Sequence, residues 1–181
     1  PRPRTRIPKT NKDRNNSTFY DELYKLRFSF FSTLFLFFVY FFPVNMKTAL
    51  AITQTLSRRY YPLHSEEQEA LASIMECRRV DKGELLLEEG RIARHFHYVE
   101  SGMLRQYYYK NGHDITEHFS CEDDLVFCII SLFRQEPTRL MIEAIEPTVV
   151  YDIPYTGLQE LFVSYSSIAQ LYKKILEWGL M

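Results

Sequence analysis

The side chains able to do chemistry fall in a few short clusters. His95 and His97 stand two apart in a run of β-forming residues, so on a strand they share a face and could chelate a metal. Glu100 follows at odd spacing from both, which turns it to the opposite face. The three cysteines, Cys77, Cys121 and Cys128, form no C-x-x-C pair and cannot all be joined in disulfides, which excludes a disulfide framework and a four-thiolate zinc site. Cys121 and Cys128 are expected to be ordinary half-buried residues. Tyr107-Tyr108-Tyr109 could stack on bases, but an aromatic strand more simply alternates between core and surface. The acidic runs Glu66-Glu67-Glu69 and Glu122-Asp123-Asp124 read as a solvated helix start and a solvated loop. There is no Gly-rich phosphate loop, no nucleophile elbow and no paired acid and base, so the chain does not read as an enzyme.

The elements that carry these residues follow from periodicity. Ser65-Glu66-Glu67-Gln68 forms a capping box that predicts a helix over 65–76, with Leu71, Ile74 and Met75 at helical spacing. Gly83, Gly90, Gly102 and Gly112 then punctuate short β-rich runs, the cadence of an all-β barrel or sandwich. These runs are Leu85 to Leu87, Phe96 to Val99, Leu104 to Tyr109 and Ile115 to Phe119, with Asn111-Gly112 as a hairpin turn. Leu125 to Phe133 is apolar without a clean period. Two further strands, Leu140 to Ile145 and Thr148 to Ile153, meet at Glu146-Pro147. Helical spacing returns at Leu158, Leu161 and Phe162, and again at Ile168, Leu171, Tyr172 and Ile175. The order is a helix, about eight short strands and closing helices.

The chain of 181 residues has a net charge of -1, but this is the sum of two unlike pieces. Residues 1–45 hold eight Lys and Arg against three acids and nine of the 14 phenylalanines, whereas 46–181 hold 14 basic against 20 acidic residues and all six glycines. Residues 1–45 are therefore expected to lie outside the fold, as a basic arm and a Phe-rich segment that has the composition of translated upstream sequence. Residues 46–181 are expected to form the domain. The run 28–42, at 15 residues, falls short of the roughly 20 that a membrane-spanning helix needs, so no membrane contact is expected unless that run is an anchor. A cytoplasmic setting suits the odd cysteine count.

One distributed pattern is more specific. Lys82-Gly83-Glu84-Leu85-Leu86, Glu88-Glu89-Gly90, Tyr98-Val99-Glu100-Ser101-Gly102-Met103-Leu104-Arg105 and the tyrosines after it resemble the sensory domain of CRP/FNR-type bacterial transcription regulators, in the variant common in the Bacteroidetes. The resemblance runs from about Leu63 to Trp178. It implies a mainly β fold with flanking helices: a cyclic-nucleotide-binding-like β-roll (a double-stranded β-helix or jelly roll) plus a C-terminal dimerisation helix. It also implies an unknown small-molecule effector, a homodimer seamed by Ile168, Leu171, Tyr172 and Ile175, and DNA contact only through a helix-turn-helix that 46–181 does not contain. The chain is accordingly expected to be the effector-sensing half of such a regulator, truncated before its DNA reader.

Family members that bind cyclic nucleotides carry Gly-Glu at the start of a short helix and an Arg a dozen residues later. Glycine admits backbone N–H groups to the phosphate, the carboxylate accepts from the ribose and the guanidinium pairs with the phosphate. Here Phe127 and Cys128 stand at the Gly-Glu position, and Thr138 or Arg139 at the Arg position. The cassette is degenerate and no cofactor is expected, with a cyclic nucleotide as the ligand it has departed from. Effector contacts are expected from Phe127, Cys128, Ile129, Ile130, Thr138 and Arg139, with Arg105 and Tyr107 lining the roll. The FNR branch holds an iron–sulfur cluster on cysteines, and three thiols in these places do not supply one. Two alternatives remain: a stand-alone module acting through protein partners, and a metal enzyme of the cupin type, whose first motif His95-x-His97 resembles but whose second motif has no counterpart here.

Overall fold

The computed structural model describes residues 47–179. The basic arm and the Phe-rich segment expected within 1–45 lie outside the described residues.

Helix α1, Ala49–Arg59, opens on Thr48, whose Oγ1 accepts from the Ala51 N–H at 3.2 Å, and ends on Arg58 and Arg59, cations suited to the carbonyl end of a helix. No helix was expected from the sequence before Ser65. Helix α2, Ser65–Ser73, starts where the capping box predicts and stops three residues sooner than the predicted 65–76, with its cap one residue before Ser65. His64 is the N-cap and donates its backbone N–H to Glu67 Oε2 at 2.7 Å, while Gln68 Nε2 reaches the Leu63 carbonyl at 2.9 Å. Eight strands follow: β1 Glu76–Val80, β2 Leu85–Leu87, β3 His95–Ser101, β4 Leu104–Lys110, β5 His113–Ser120, β6 Leu125–Val126, β7 Met141–Ala144 and β8 Thr148–Pro154. The apolar stretch without a period resolves into β6 and a six-residue helix α3, Ile129–Arg134. Helices α4, Tyr155–Ser164, and α5, Ser166–Gly179, close the chain.

The strands form two antiparallel sheets, ordered β1-β8-β3-β6 and β2-β7-β4-β5, which face each other as a β-roll. The β4–β5 hairpin turns on Asn111 (φ 54°) and Gly112 (φ 79°), the left-handed pair that a two-residue hairpin requires. Alternation along β3 and β8 divides the core in two. Phe96 pairs with Ile153 and Tyr98 with Tyr151 on the face covered by the helices, where Phe96 meets Tyr172 edge-on at 5.4 Å. His97 pairs with Asp152 and Val99 with Val150 on the face that looks at the second sheet.

One expectation about α5 is overturned. Ile168, Leu171, Tyr172 and Ile175 are 0%, 2%, 9% and 8% exposed within a single chain, packed with Leu56, Leu71, Phe96, Ile153 and Leu158. A helix at the end of a β-roll has an apolar sheet face to cover, and this stripe covers it. The four residues are core, not a seam between protomers. Each fully buried side chain of this kind contributes about 1.5–3 kcal/mol.

The acidic loop also differs from expectation. Asp123 accepts from Tyr98 Oη and Lys47 Nζ, its carbonyl accepts from Arg59 Nη1 at 2.8 Å, and Lys47 N–H reaches Glu100 Oε1 at 3.1 Å. Both ends of α1 are thereby clipped to the roll. The lysine and the tyrosine hydroxyl hold the Asp123 carboxyl below the usual carboxylate range, and burial, with Asp123 as neighbour, drives the Tyr98 phenol well above its ordinary value.

Candidate functional site: the cassette cavity

The stretch at the position of the family's phosphate cassette folds as β6, a turn and the short α3. Its N-cap, Cys128, offers no side-chain hydrogen bond to the helix. Cys128 is buried, and its Sγ lies 3.3 Å from Thr138 Oγ1, which in turn accepts from the Leu140 N–H at 2.9 Å. A thiol and a hydroxyl thus fill one another's contacts where a carboxylate and a guanidinium would flank a phosphate. Phe127 packs against Phe96 with ring centroids 4.7 Å apart, and its carbonyl accepts from Gln106 Nε2 at 3.4 Å.

Beside this stretch lies a cavity of about 600 Å³. Phe127, Cys128, Ile129 and Ile130 line it together with Gln106 on β4, Glu117, His118 and Ser120 on β5, and Asp124. Among the described residues its lining holds two carboxylates, of which Asp124 stands 3.9 Å from the Arg59 guanidinium, and no lysine or arginine. Thr138 does not line the cavity and touches it through Cys128 and Leu140, and Arg139 is exposed and does not line it.

Arg105 and Tyr107 stand on the other face of β4 from Gln106 rather than lining the roll. Arg105 donates to Asp114 at 2.9 Å and Glu143 at 3.0 Å, and its guanidinium sits 4.0 Å from the centre of the Tyr107 ring. Tyr107 and Tyr109 share that face, centroids 5.9 Å apart. Gln106 was the residue to choose. Leu104 is core, and alternation sends Gln106, not Arg105, to the same side.

The remaining candidates separate clearly. Cys77 and Cys121 are exposed, against the expectation that Cys121 is half-buried, and all three thiols are free. Asp124 accepts from the Cys121 N–H at 3.1 Å and its charge raises the Cys121 thiol above its ordinary value. Among the described residues, no group of three or more His, Cys, Asp or Glu could hold a metal ion. His97 Nδ1 is taken by Asp152 at 2.6 Å, and Glu100 holds the Lys47 amide instead of facing the histidines.

The fold and cassette define a β-roll of the cyclic-nucleotide-binding class. Residues 77–165 match the family model of the cyclic nucleotide-binding domain. No curated protein matches the chain in sequence. Among solved structures, the chain is similar to a cyclic nucleotide-binding domain from Methylobacillus flagellatus (16% identity, 72% of this chain and 75% of that one, TM-score 0.64). It is also similar to the catabolite activator protein of Thermus thermophilus (19%, 69% and 57%, TM-score 0.59) and to the sensor domain of the transcriptional regulator DNR from Pseudomonas aeruginosa (18%, 71% and 92%, TM-score 0.57). The roll therefore shares the fold of these domains. The chain spans little more than half of the Thermus protein's length. Among the described residues no helix is long and apolar enough to cross a membrane.

Proposed function

We propose that the chain is the effector-sensing domain of a CRP/FNR-type transcription regulator whose effector, seated in the cassette cavity, is neutral or cationic and not a cyclic nucleotide. The observation that carries this is the lining. A cyclic phosphodiester is an anion that must exchange water for charge-assisted donors, and this cavity offers Glu117 and Asp124 but no guanidinium or ammonium. The mixed lining of Phe127, Ile129, Leu140, Gln106 and His118 suits a compact apolar molecule with one or two polar groups. In this reading the protein binds rather than catalyses, works in the cytoplasm as a homodimer, and reads DNA through a separate helix-turn-helix. Effector binding shifts the population of two dimer arrangements. The protomer contact does not use Ile168, Leu171, Tyr172 and Ile175, which the core occupies.

Thermal unfolding with cyclic AMP and cyclic GMP tests the reading. A ligand at about 100 times its Kd adds about 2.7 kcal/mol, which raises Tm by several degrees in a domain of this size. No shift is expected with either nucleotide at millimolar concentration. A rise of several degrees with cyclic AMP would refute the proposal.

A further inference from the structure

A second cavity, of about 280 Å³, opens between the two sheets away from the cassette residues. Leu85 and Leu87 of β2 and Ile142 of β7 form one wall, and His95 and His97 of β3 the other. His97 is 4% exposed and its Nδ1 lies 2.6 Å from Asp152 Oδ1, while Arg78 Nε stands 3.3 Å from Asp152 Oδ2. Burial opposes the Asp152 charge, but the His97 hydrogen bond and the neighbouring cations hold its carboxyl below the usual range. An ionised carboxylate can only accept, so Nδ1 carries a proton and donates it to Asp152. The remaining ring nitrogen, Nε2, has no hydrogen-bond partner among the described residues. A nearly buried imidazole, fixed in orientation by an ion-paired carboxylate, thus borders a cavity with one nitrogen unused.

The rim supplies the opposite polarity to that of the cassette cavity. Arg91 and Arg94 border this cavity and an adjoining one shared with Gly90, Ile92 and Pro137. Glu88, also on the rim, pairs with Arg91 at 3.6 Å, whereas Arg94 has no acidic partner among the described residues. Guanidiniums donate and repel cations, so a metal is disfavoured and an anion is drawn in.

We propose that this cavity binds a small oxyanion of the phosphate or carboxylate class, held by the guanidiniums of Arg91 and Arg94 and by Nε2 of His97. A hydrogen phosphate donates its O–H to Nε2, and a hydroxycarboxylate does so through its hydroxyl, while the charged oxygens take the arginines. The site has a route to the cassette. Gly90 N–H donates to the Thr138 carbonyl at 2.7 Å, Thr138 N–H to the Arg91 carbonyl at 3.0 Å, and Ala93 N–H to Ser131 Oγ at 2.9 Å. The loop bearing both arginines is thereby clipped to α3 and to the loop after it, so occupancy of this cavity reaches the effector site through these hydrogen bonds. The proposal rests on different residues from the cassette cavity and stands or falls apart from it.

The test uses the full chain with ¹⁵N-labelled histidine, titrated in separate arms with sodium phosphate and sodium lactate at constant ionic strength. A saturable shift at the His97 Nε2 resonance, with exposed His113 nearly unmoved, is expected in at least one arm, and the responding arm names the anion. By calorimetry, Arg94→Ala on the exposed rim and His97→Gln each weaken that binding by about tenfold or more, as loss of a charge-assisted hydrogen bond does. Arg139→Ala, outside both cavities, leaves it unchanged. The absence of a saturable shift in both arms, or affinity undiminished in Arg94→Ala, overturns the proposal.

Discussion

At the scale of single residues, two positions carry more than their size suggests. Gly102 turns the chain from β3 into β4 at φ +91°, and a Cβ there would stand 2.6 Å from Thr148 Oγ1 and 2.8 Å from the Pro147 carbonyl. Neither obstacle can yield easily, because Thr148 is buried and its hydroxyl already bonds Met103 and Glu146. Gly102→Ala is therefore expected to destabilise by about 2–5 kcal/mol through left-handed strain and overlap together, read by urea unfolding. Asp152 acts through charge. Its folded pKa is depressed, so its contribution is present in full above the ordinary value of about 3.9 and is lost as pH falls through the lower folded value. Asp152→Asn is expected to lower stability at pH 7 and to flatten the loss of stability below pH 4. A variant retaining the full acid-driven loss would show that the His97–Asp152 pair contributes nothing to it.

At the scale of elements, α5 and α1 decide how the roll is closed. The period of Ile168, Leu171, Tyr172 and Ile175 was legible as an apolar stripe, but spacing alone cannot say whether a stripe meets its own sheet or a second protomer. Burial answers that. Ile168→Ala is expected to cost about 2–4 kcal/mol and to leave the concentration dependence of Tm as it is in the parent chain. A seam residue would instead weaken association and so change that dependence. The strands and the Asn111-Gly112 hairpin were legible because alternation and turn chemistry are local. Helix α1 was equally well signed, by Thr48 and by Ile52 and Leu56 on one face, yet no helix was expected before Ser65. The cassette was located from sequence by the residues it lacks. The cavity wall was not, because Gln106, Glu117 and His118 become neighbours only when β4 and β5 pair, and the bulge between Gln106 and Tyr107 offsets that register by one residue. The bonds of Asp123 to Lys47 and Tyr98 span 76 and 25 positions and leave no local trace in the sequence.

At the scale of the whole molecule, charge separates what this domain does from what a regulator does. Residues 46–181 carry 20 acids against 14 Lys and Arg. The polar side of α5 adds Lys173 and Lys174, but both are paired to Glu177. Arg94 and Arg139 are exposed, with no ion-pair partner among the described residues. Duplex DNA rewards a row of cations by counterion release, so a surface of this balance gains little from it and meets net repulsion at long range. A fragment spanning 47–181 is therefore expected to show no shift of duplex DNA in gels even at about 50 mM salt, where non-specific electrostatic binding is strong. Fusing a helix-turn-helix after Met181 is expected to create binding whose salt dependence belongs entirely to the added part. Salt-sensitive DNA binding by 47–181 alone would mean that the roll itself presents a basic face, and would break the division of labour between sensing and reading on which the proposed function rests.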